Sequence, residues 1–201
     1  MSKLFLIRHG DTESNSAERY WGNTDVKLSD AGLRQAERLR DHLATERIDA
    51  VYSSDLNRAL ATAVTIASNH RLDITICAEL REMNFGELEG LTFDEISQRY
   101  PKVTELWLKR SPKLRCPGGE SLEEFNIRVS QFMDKLENHA PQEGIVIVAH
   151  SGSLRSLLCL LLGIGMERRW QFRLDLASLT ILETYPQGAI LSLLNDVSHL
   201  K

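Results

Sequence analysis

The sequence predicts an α/β sandwich of three layers, a mostly parallel central sheet with helices on both faces. Three observations predict it. Short apolar runs alternate with longer stretches of helical periodicity, the pattern of βαβ units. One run, GIVIVA at 144–149, is apolar throughout, as suits a strand covered on both sides. The runs LFLI and IVIVA both stop at a histidine backed by small residues, His9-Gly10 and His150-Ser151-Gly152.

Taken in order, the chain opens on a strand over 3–7. Residues 29–45 read as a helix, with Ser29 as N-cap and Leu33, Ala36, Leu39 and Leu43 as its apolar stripe. A short strand over 49–54 leads to a helix over 55–69, for which Leu56, Leu60, Val64 and Ala67 define one face. ITICAEL (74–80), rich in β-branched residues, reads as the next strand.

From 84 to 120 the pattern loosens. A glycine-punctuated loop, NFGELEG (84–90), precedes a helix opened by the capping box of Thr92 and Glu95. A short amphipathic piece at 104–109 and SPKLRCPGGE (111–120) follow. This excursion is expected as a lid or small subdomain within one domain spanning 1–201. Regularity returns in a helix over 121–139, with a second capping box of Ser121 and Glu124 and a stripe of Phe125, Val129, Phe132 and Leu136. After the strand at 144–150, a helix begins near Gly152. Strands over 178–185 and 189–195, joined through Pro186-Gln187-Gly188, complete the chain as a hairpin.

The totals narrow the function. At 201 residues with 42% hydrophobic and 26% charged residues, the composition is that of an ordinary globular protein. A net charge of −4 gives no general attraction to nucleic acid or to anionic membrane, although a local arginine cluster can still bind an anion. Cys77, Cys116 and Cys159 are odd in number, far apart and without a C-x-x-C, which argues against a disulfide framework and a zinc site. No metal or other cofactor is expected. The first apolar run is too short for a signal peptide, and LLCLLLGIG (157–165) is too short to span a bilayer. A cytoplasmic location is expected.

In open α/β sheets, ligands collect beyond the carboxyl ends of the strands, where helix N-termini favour anions. Four segments deliver candidates to that edge: Arg8-His9, Arg58 one turn into its helix, the pair Arg81-Glu82, and His150. Taken singly, each reads as structural; the coincidence is what carries weight. Arg8 and Arg58 would hold an oxyanion in fork geometry, and Gly10 would clear backbone room for it. A neutral imidazole is a nucleophile near neutral pH. A carboxyl group beside bound phosphate has its pKa raised and can serve as a general acid. The set suffices for phosphoryl transfer through a histidine, with arginines supplying the electrostatic stabilisation. His42, His70, His139 and His199 read as structural.

With those residues assembled, the chain resembles the histidine phosphatase (phosphoglycerate mutase-like) superfamily. The resemblance runs through LIRHGDTESN (6–15), TDVKLSDAGLRQA (24–36), YSSDLNRALATA (52–63), LREMNFGELEG (80–90), PGGES (117–121) and VAHSGSLR (148–155). It implies that His9 is the nucleophile, that Arg8, Asn15, Arg58 and His150 line the phosphate pocket, and that Glu82 is proton donor and later base. Thr12 and Ser151 lie close by; Ser151 stands where glycine is more usual. RHGDT and HSG, on a short chain, differ from the R-H-G-E-S and H-G-N of the mutases and favour a phosphatase. TDVKLS, NFGELEG and PGGES resemble most the α-ribazole phosphatases, which act in cobalamin nucleotide-loop assembly. Fructose-2,6-bisphosphatase-like and broad-specificity phosphatases share the core. A phosphate-binding scaffold is the non-enzymatic alternative, against which the acid Glu82 speaks. The expected partner is a small phosphorylated substrate read partly by Tyr20 and Trp21, which could stack on a planar ring; neither nucleic acid nor membrane is expected. A homodimer is one assembly the sequence allows.

Overall fold

The computed structural model describes residues 2–14 and 19–201. Six strands form one sheet in the order β3-β2-β4-β1-β5-β6. They are β1 (Ser2–Arg8), β2 (Ala50–Ser53), β3 (Ile74–Ile76), β4 (Gly144–Ala149), β5 (Leu179–Tyr185) and β6 (Gly188–Asp196). The pairs β1–β4, β2–β4 and β2–β3 are parallel, and β5 runs antiparallel to both β1 and β6. The phosphoglycerate mutase-like architecture expected from the sequence is the one observed.

Alternation along the central strands explains the layers, since successive side chains leave a strand on opposite faces. Phe5 and Ile7 of β1, with Val146 and Val148 of β4, pack under α1 (Asp30–His42) and α2 (Asn57–Ala67). Leu4 and Leu6, with Ile145 and Ile147, pack on the other side against Phe125, Val129, Leu154 and Leu157. Those four come from α5 (Leu122–Ser130) and α7 (Ser151–Leu162). Both faces are thus dry, which is why β4 is buried at every position.

Several elements depart from the sequence reading. Of the expected stripes, Ala36, Leu39, Leu43, Leu56 and Ala67 are buried but Leu33 and Val64 are exposed, and Gly32 on α1 and Ala59 and Ala63 on α2 take inward positions in their stead. Small residues won those positions because the two helices pack closely on one another and on the sheet. The strand expected over 74–80 stops at Ile76, and Ala78–Leu80 tightens into a 3₁₀ turn that buries Leu80. The helix over 121–139 breaks after Ser130, whose hydroxyl bonds back to the Ile127 carbonyl at 2.7 Å; such back-bonding bends helices. A short α6 (Met133–Leu136) continues it. In the excursion, α3 (Phe93–Arg99) and α4 (Pro101–Leu108) form with the expected capping box at Thr92.

A backbone crossing fixes the start of the site. A Cβ on Gly10 would lie 2.7 Å from the Gly32 carbonyl oxygen, and one on Gly32 would lie 2.0 Å from that of Asp11. The Gly10 N–H is already given to Thr62 Oγ1 at 3.3 Å. Gly10 therefore serves the approach of α1, and the room for phosphate that the sequence reading gave it is not its role. In an exposed helix Gly→Ala gains about 1 kcal/mol. Here Gly32→Ala is expected to destabilise the fold by about 1–3 kcal/mol through overpacking. Urea unfolding would show a lower midpoint at unchanged slope; a raised midpoint would refute the crossing.

Candidate active site

The site begins with one register. Because β1 and β4 pair in parallel with Arg8 opposite Ala149, the residues that follow leave the sheet side by side. The His9 N–H donates to the Ala149 carbonyl at 3.0 Å, and the rings of His9 and His150 lie 5.1 Å apart, tilted by 58°. On the other flank of β4, β2 delivers Ser54, whose N–H donates to Val148 at 3.0 Å.

Both histidines are buried and neutral. Burial holds each imidazole well below its ordinary pKa, reinforced for His9 by Arg8 and Arg58 and for His150 by Arg58 and His9. Hydrogen bonds then select opposite tautomers. His9 Nδ1 lies 2.8 Å from the Gly10 carbonyl, which can only accept, so Nδ1 carries the proton and Nε2 keeps its lone pair. His150 Nδ1 accepts from Arg58 Nε at 3.2 Å, so its Nε2–H donates to Ser54 Oγ at 2.9 Å.

Arg58 is 1% exposed, and its donors are largely committed. Besides His150, Nη1 donates to the Thr24 carbonyl at 2.9 Å, and Nη2 to those of Gly22 at 2.6 Å and Trp21 at 3.4 Å. Only one Nη1 hydrogen remains, so Arg58 clamps the loop at 21–24 rather than presenting a fork. Arg8 spends one donor, Nη1, on the Leu174 carbonyl at 2.8 Å, and its buried Nε has no partner. The open fork belongs to Arg8.

Glu82 reaches the same cleft from the turn after β3. Its Oε1 accepts the Met83 N–H at 2.9 Å and its Oε2 the Gly152 N–H at 2.8 Å. The N-terminus of α7 therefore supports the carboxylate. A Cβ on Gly152 would fall 2.1 Å from Glu82 Oε1, so this contact needs glycine. Arg81, beside it in sequence, is paired with Asp55, Nε to Oδ1 at 2.7 Å, and does not line the cleft.

The turn bearing Glu82 is held by a residue the sequence reading missed. Arg128 donates to the carbonyls of Glu79, Arg81 and Glu82 at 3.0–3.1 Å, and binds Glu120 at 2.7 and 2.8 Å. Glu120 Oε2 also accepts the Asn84 N–H at 2.8 Å. Burial alone would raise the Glu120 carboxyl pKa, but Arg128 and that N–H hold it below its ordinary value. The glutamate of PGGES is thus one half of a half-buried clamp on the Glu82 segment.

The cleft holds about 1710 Å³ and brings together Arg8, His9, Arg58, Glu82 and His150. Tyr20 and Trp21 line it too; Tyr20 packs edge-on against Phe85 and Trp107 at 5.6 and 5.0 Å, so it belongs to an aromatic wall as well as to the core. Ser151 and Thr12 also line it, with Thr12 Oγ1 buried and unpartnered. Asn15 lies outside the described residues. Ser54, Arg155 and Arg169 were not singled out from the sequence; Ser54 and Arg155 stood within motifs already quoted, whereas nothing marked Arg169. Among the described residues no group of three histidine, cysteine, aspartate or glutamate side chains is placed to hold a metal ion, and no helix is long and apolar enough to cross a membrane.

A neutral imidazole with a free ring nitrogen, an arginine fork and a carboxylate at one sheet edge are the groups that phosphoryl transfer needs. The chain belongs to the histidine phosphatase superfamily, branch 1, whose family model matches residues 4–197, and it is a phosphomonoesterase of that family. It is 32% identical over 200 residues to phosphoserine phosphatase 1 of Hydrogenobacter thermophilus, covering 100% of this chain and 95% of that one. It is 31% identical over 194 residues to the adenosylcobalamin/α-ribazole phosphatase of Escherichia coli, covering 96% of each. Among solved structures, the α-ribazole phosphatase of Shigella flexneri superposes with a TM-score of 0.89 at 31% identity over 96% of both chains. The phosphoserine phosphatase of Entamoeba histolytica in complex with phosphoserine does so at 0.88 and 27% identity over 100% of both.

Because Arg128 holds the Glu82 segment through three carbonyls, Arg128→Met should loosen it. The expected loss in kcat is on the order of 10²-fold for alkyl phosphates, and clearly less for p-nitrophenyl phosphate, which needs little proton donation. An equal loss on both substrates, with the fold intact by thermal unfolding, would make the clamp merely structural.

Proposed function

We propose that the chain hydrolyses phosphomonoesters through a phosphohistidine formed on His9, without a metal ion. The observation that carries this reading is the bond from His9 Nδ1 to the Gly10 carbonyl, which leaves Nε2 as a neutral nucleophile in the cleft. In the first step Nε2 attacks phosphorus, the ester P–O bond breaks, and Glu82 gives its proton to the leaving alkoxide. In the second step water attacks the phosphohistidine, Glu82 takes its proton, and phosphate leaves with His9 neutral again.

Arg8 is the principal oxyanion donor in this reading. Arg58 contributes its charge and one hydrogen, Asn15 a further contact, and His150 the neighbouring ring. The arginines supply the fixed positive field that a metal provides elsewhere. For the substrate, the motifs resembling α-ribazole phosphatases, the relatives of that name and the aromatic wall with Tyr20 and Trp21 support α-ribazole 5′-phosphate. A second reading, phosphoserine, is favoured by the Hydrogenobacter relatives, 32% and 34% identical over their full alignment with this chain.

Rapid quenching during turnover should trap an acid-labile phosphoenzyme, absent in His9→Ala, with activity that survives a chelator. Turnover retained in His9→Ala would overturn the scheme, and a panel containing α-ribazole 5′-phosphate and phosphoserine separates the two substrate readings. Glu82→Gln should reduce kcat for alkyl phosphates about 10²- to 10³-fold and for p-nitrophenyl phosphate by less than about tenfold. Equal losses would assign the proton to another group.

A further inference from the structure

The Arg8 fork leans on one peptide group. Arg8 Nη1 donates to the Leu174 carbonyl at 2.8 Å, and the N–H of that same peptide, on Asp175, donates to Asn195 Oδ1 at 2.6 Å. In a trans peptide the C=O and N–H point in opposite directions. The Leu174–Asp175 unit therefore lies between the guanidinium on one side and the Asn195 amide on the other. The amide has a second grip, because its Nδ2 donates to Asp175 Oδ2 at 2.9 Å. A backbone N–H can only donate and a carboxylate only accept, which assigns both ends of the Asn195 side chain.

Asn195 is itself held in place near the end of β6. Its φ is +55°, a left-handed conformation that asparagine tolerates better than most residues. From Leu193 to Asp196 β6 takes three steps where β5 takes two, from Ile181 to Leu179, and such a bulge re-aims a side chain. The Asn195 N–H donates to the buried Thr180 Oγ1 at 3.1 Å. The segment it grips meets the end of β1 twice more: the Arg8 N–H donates to the Ser178 carbonyl at 3.3 Å, and the Ala177 N–H to that of His9 at 3.0 Å. Asp175 lines the cleft, and its bonds from Arg173 and Asn195, with a smaller share from the charge of Arg8, hold its carboxyl below the ordinary pKa. Among the described residues its ion pair is with Arg173, at 2.9 Å, and not with Arg8. Arg173 is 80% exposed, so that pair is a weak tie and Asn195 the firmer hold.

We propose that Asn195 is a positioning residue for Arg8. It fixes the peptide against which the guanidinium rests, and it keeps the Asp175 carboxylate off the fork that receives the phosphoryl group. Arg8 is the principal oxyanion donor of the phosphatase reading, on which this role for Asn195 rests.

Calorimetric titration with orthovanadate and hydrolysis of p-nitrophenyl phosphate test the role. Asn195→Gly keeps the left-handed backbone free of strain and removes both side-chain bonds. It should weaken orthovanadate about tenfold and lower kcat/KM by a similar factor. In an Arg8→Met background the same substitution should change the affinity by less than about twofold. Equal losses in the two backgrounds would make Asn195 a general support of the fold and overturn the role. Asn195→Asp also tolerates that backbone, keeps the acceptor and sets a second carboxylate against Asp175, with Arg173 and Arg8 the cations facing the pair. Its kcat/KM relative to wild type should be lowest near about pH 8 and recover toward about pH 5, because protonating one of the pair restores a donor. A ratio independent of pH overturns the role, even if Asn195→Gly or Arg8→Met fails to fold. A wild type that neither binds orthovanadate nor hydrolyses p-nitrophenyl phosphate fails the phosphatase reading and this role with it. One that does both, with the Asn195 variants unchanged, fails this role alone.

Discussion

The parallel pairing of β1 with β4 is the constraint on which the rest depends. Arg8 stands opposite Ala149, and from there both chains leave the sheet with a histidine as the next residue. A slip of one residue would turn every side chain of β1 to the other face, exchanging Leu4 and Leu6 for Phe5 and Ile7. Both faces of the central strands are packed, so the two cores specify that register and thereby hold the rings 5.1 Å apart. Stability and chemistry are joined at this point: the hydrophobic alternation that builds the layers also aims the imidazoles.

The cleft sets two opposing electrostatic demands against each other. Burial keeps His9 and His150 neutral, as the proposed scheme requires of a nucleophile and its neighbour, and the surrounding arginines push in the same direction. The same burial makes each guanidinium expensive to keep charged, yet arginine does not give up its proton. The cations are therefore held by carbonyls, as at Arg58, or left open toward the cavity, as at Arg8, Arg155 and Arg169. Glu82, secured by two backbone N–H groups, is the carboxylate they share.

The architecture was legible in the sequence because both signals it uses are local. A continuous apolar run marks β4, and a histidine after each of two strands marks the edge. Arg8, His9, Arg58, Glu82 and His150 follow from strand ends alone. What was not legible depends on contacts across the fold. The buried faces of α1 and α2 are set by close helix packing that favours small residues, so Leu33 and Val64 misled the periodicity. Gly10 looked like a phosphate cradle because its partner Gly32 is 22 positions away in sequence. Arg128, half-buried beside the Glu82 turn, and Arg169, in a stretch without periodic pattern, carry no sequence signal for their positions.

The opposite tautomers of the two histidines have a kinetic meaning. A free imidazole exchanges its proton between two nitrogens, and a nucleophile in solution is in the reactive form only part of the time. Here the choice at His9 is made by the carbonyl of the adjacent residue, and that at His150 by Arg58 and Ser54. Under the proposed scheme the reactive nitrogen is thus selected once, when the chain folds, and each catalytic cycle starts with its lone pair already in place.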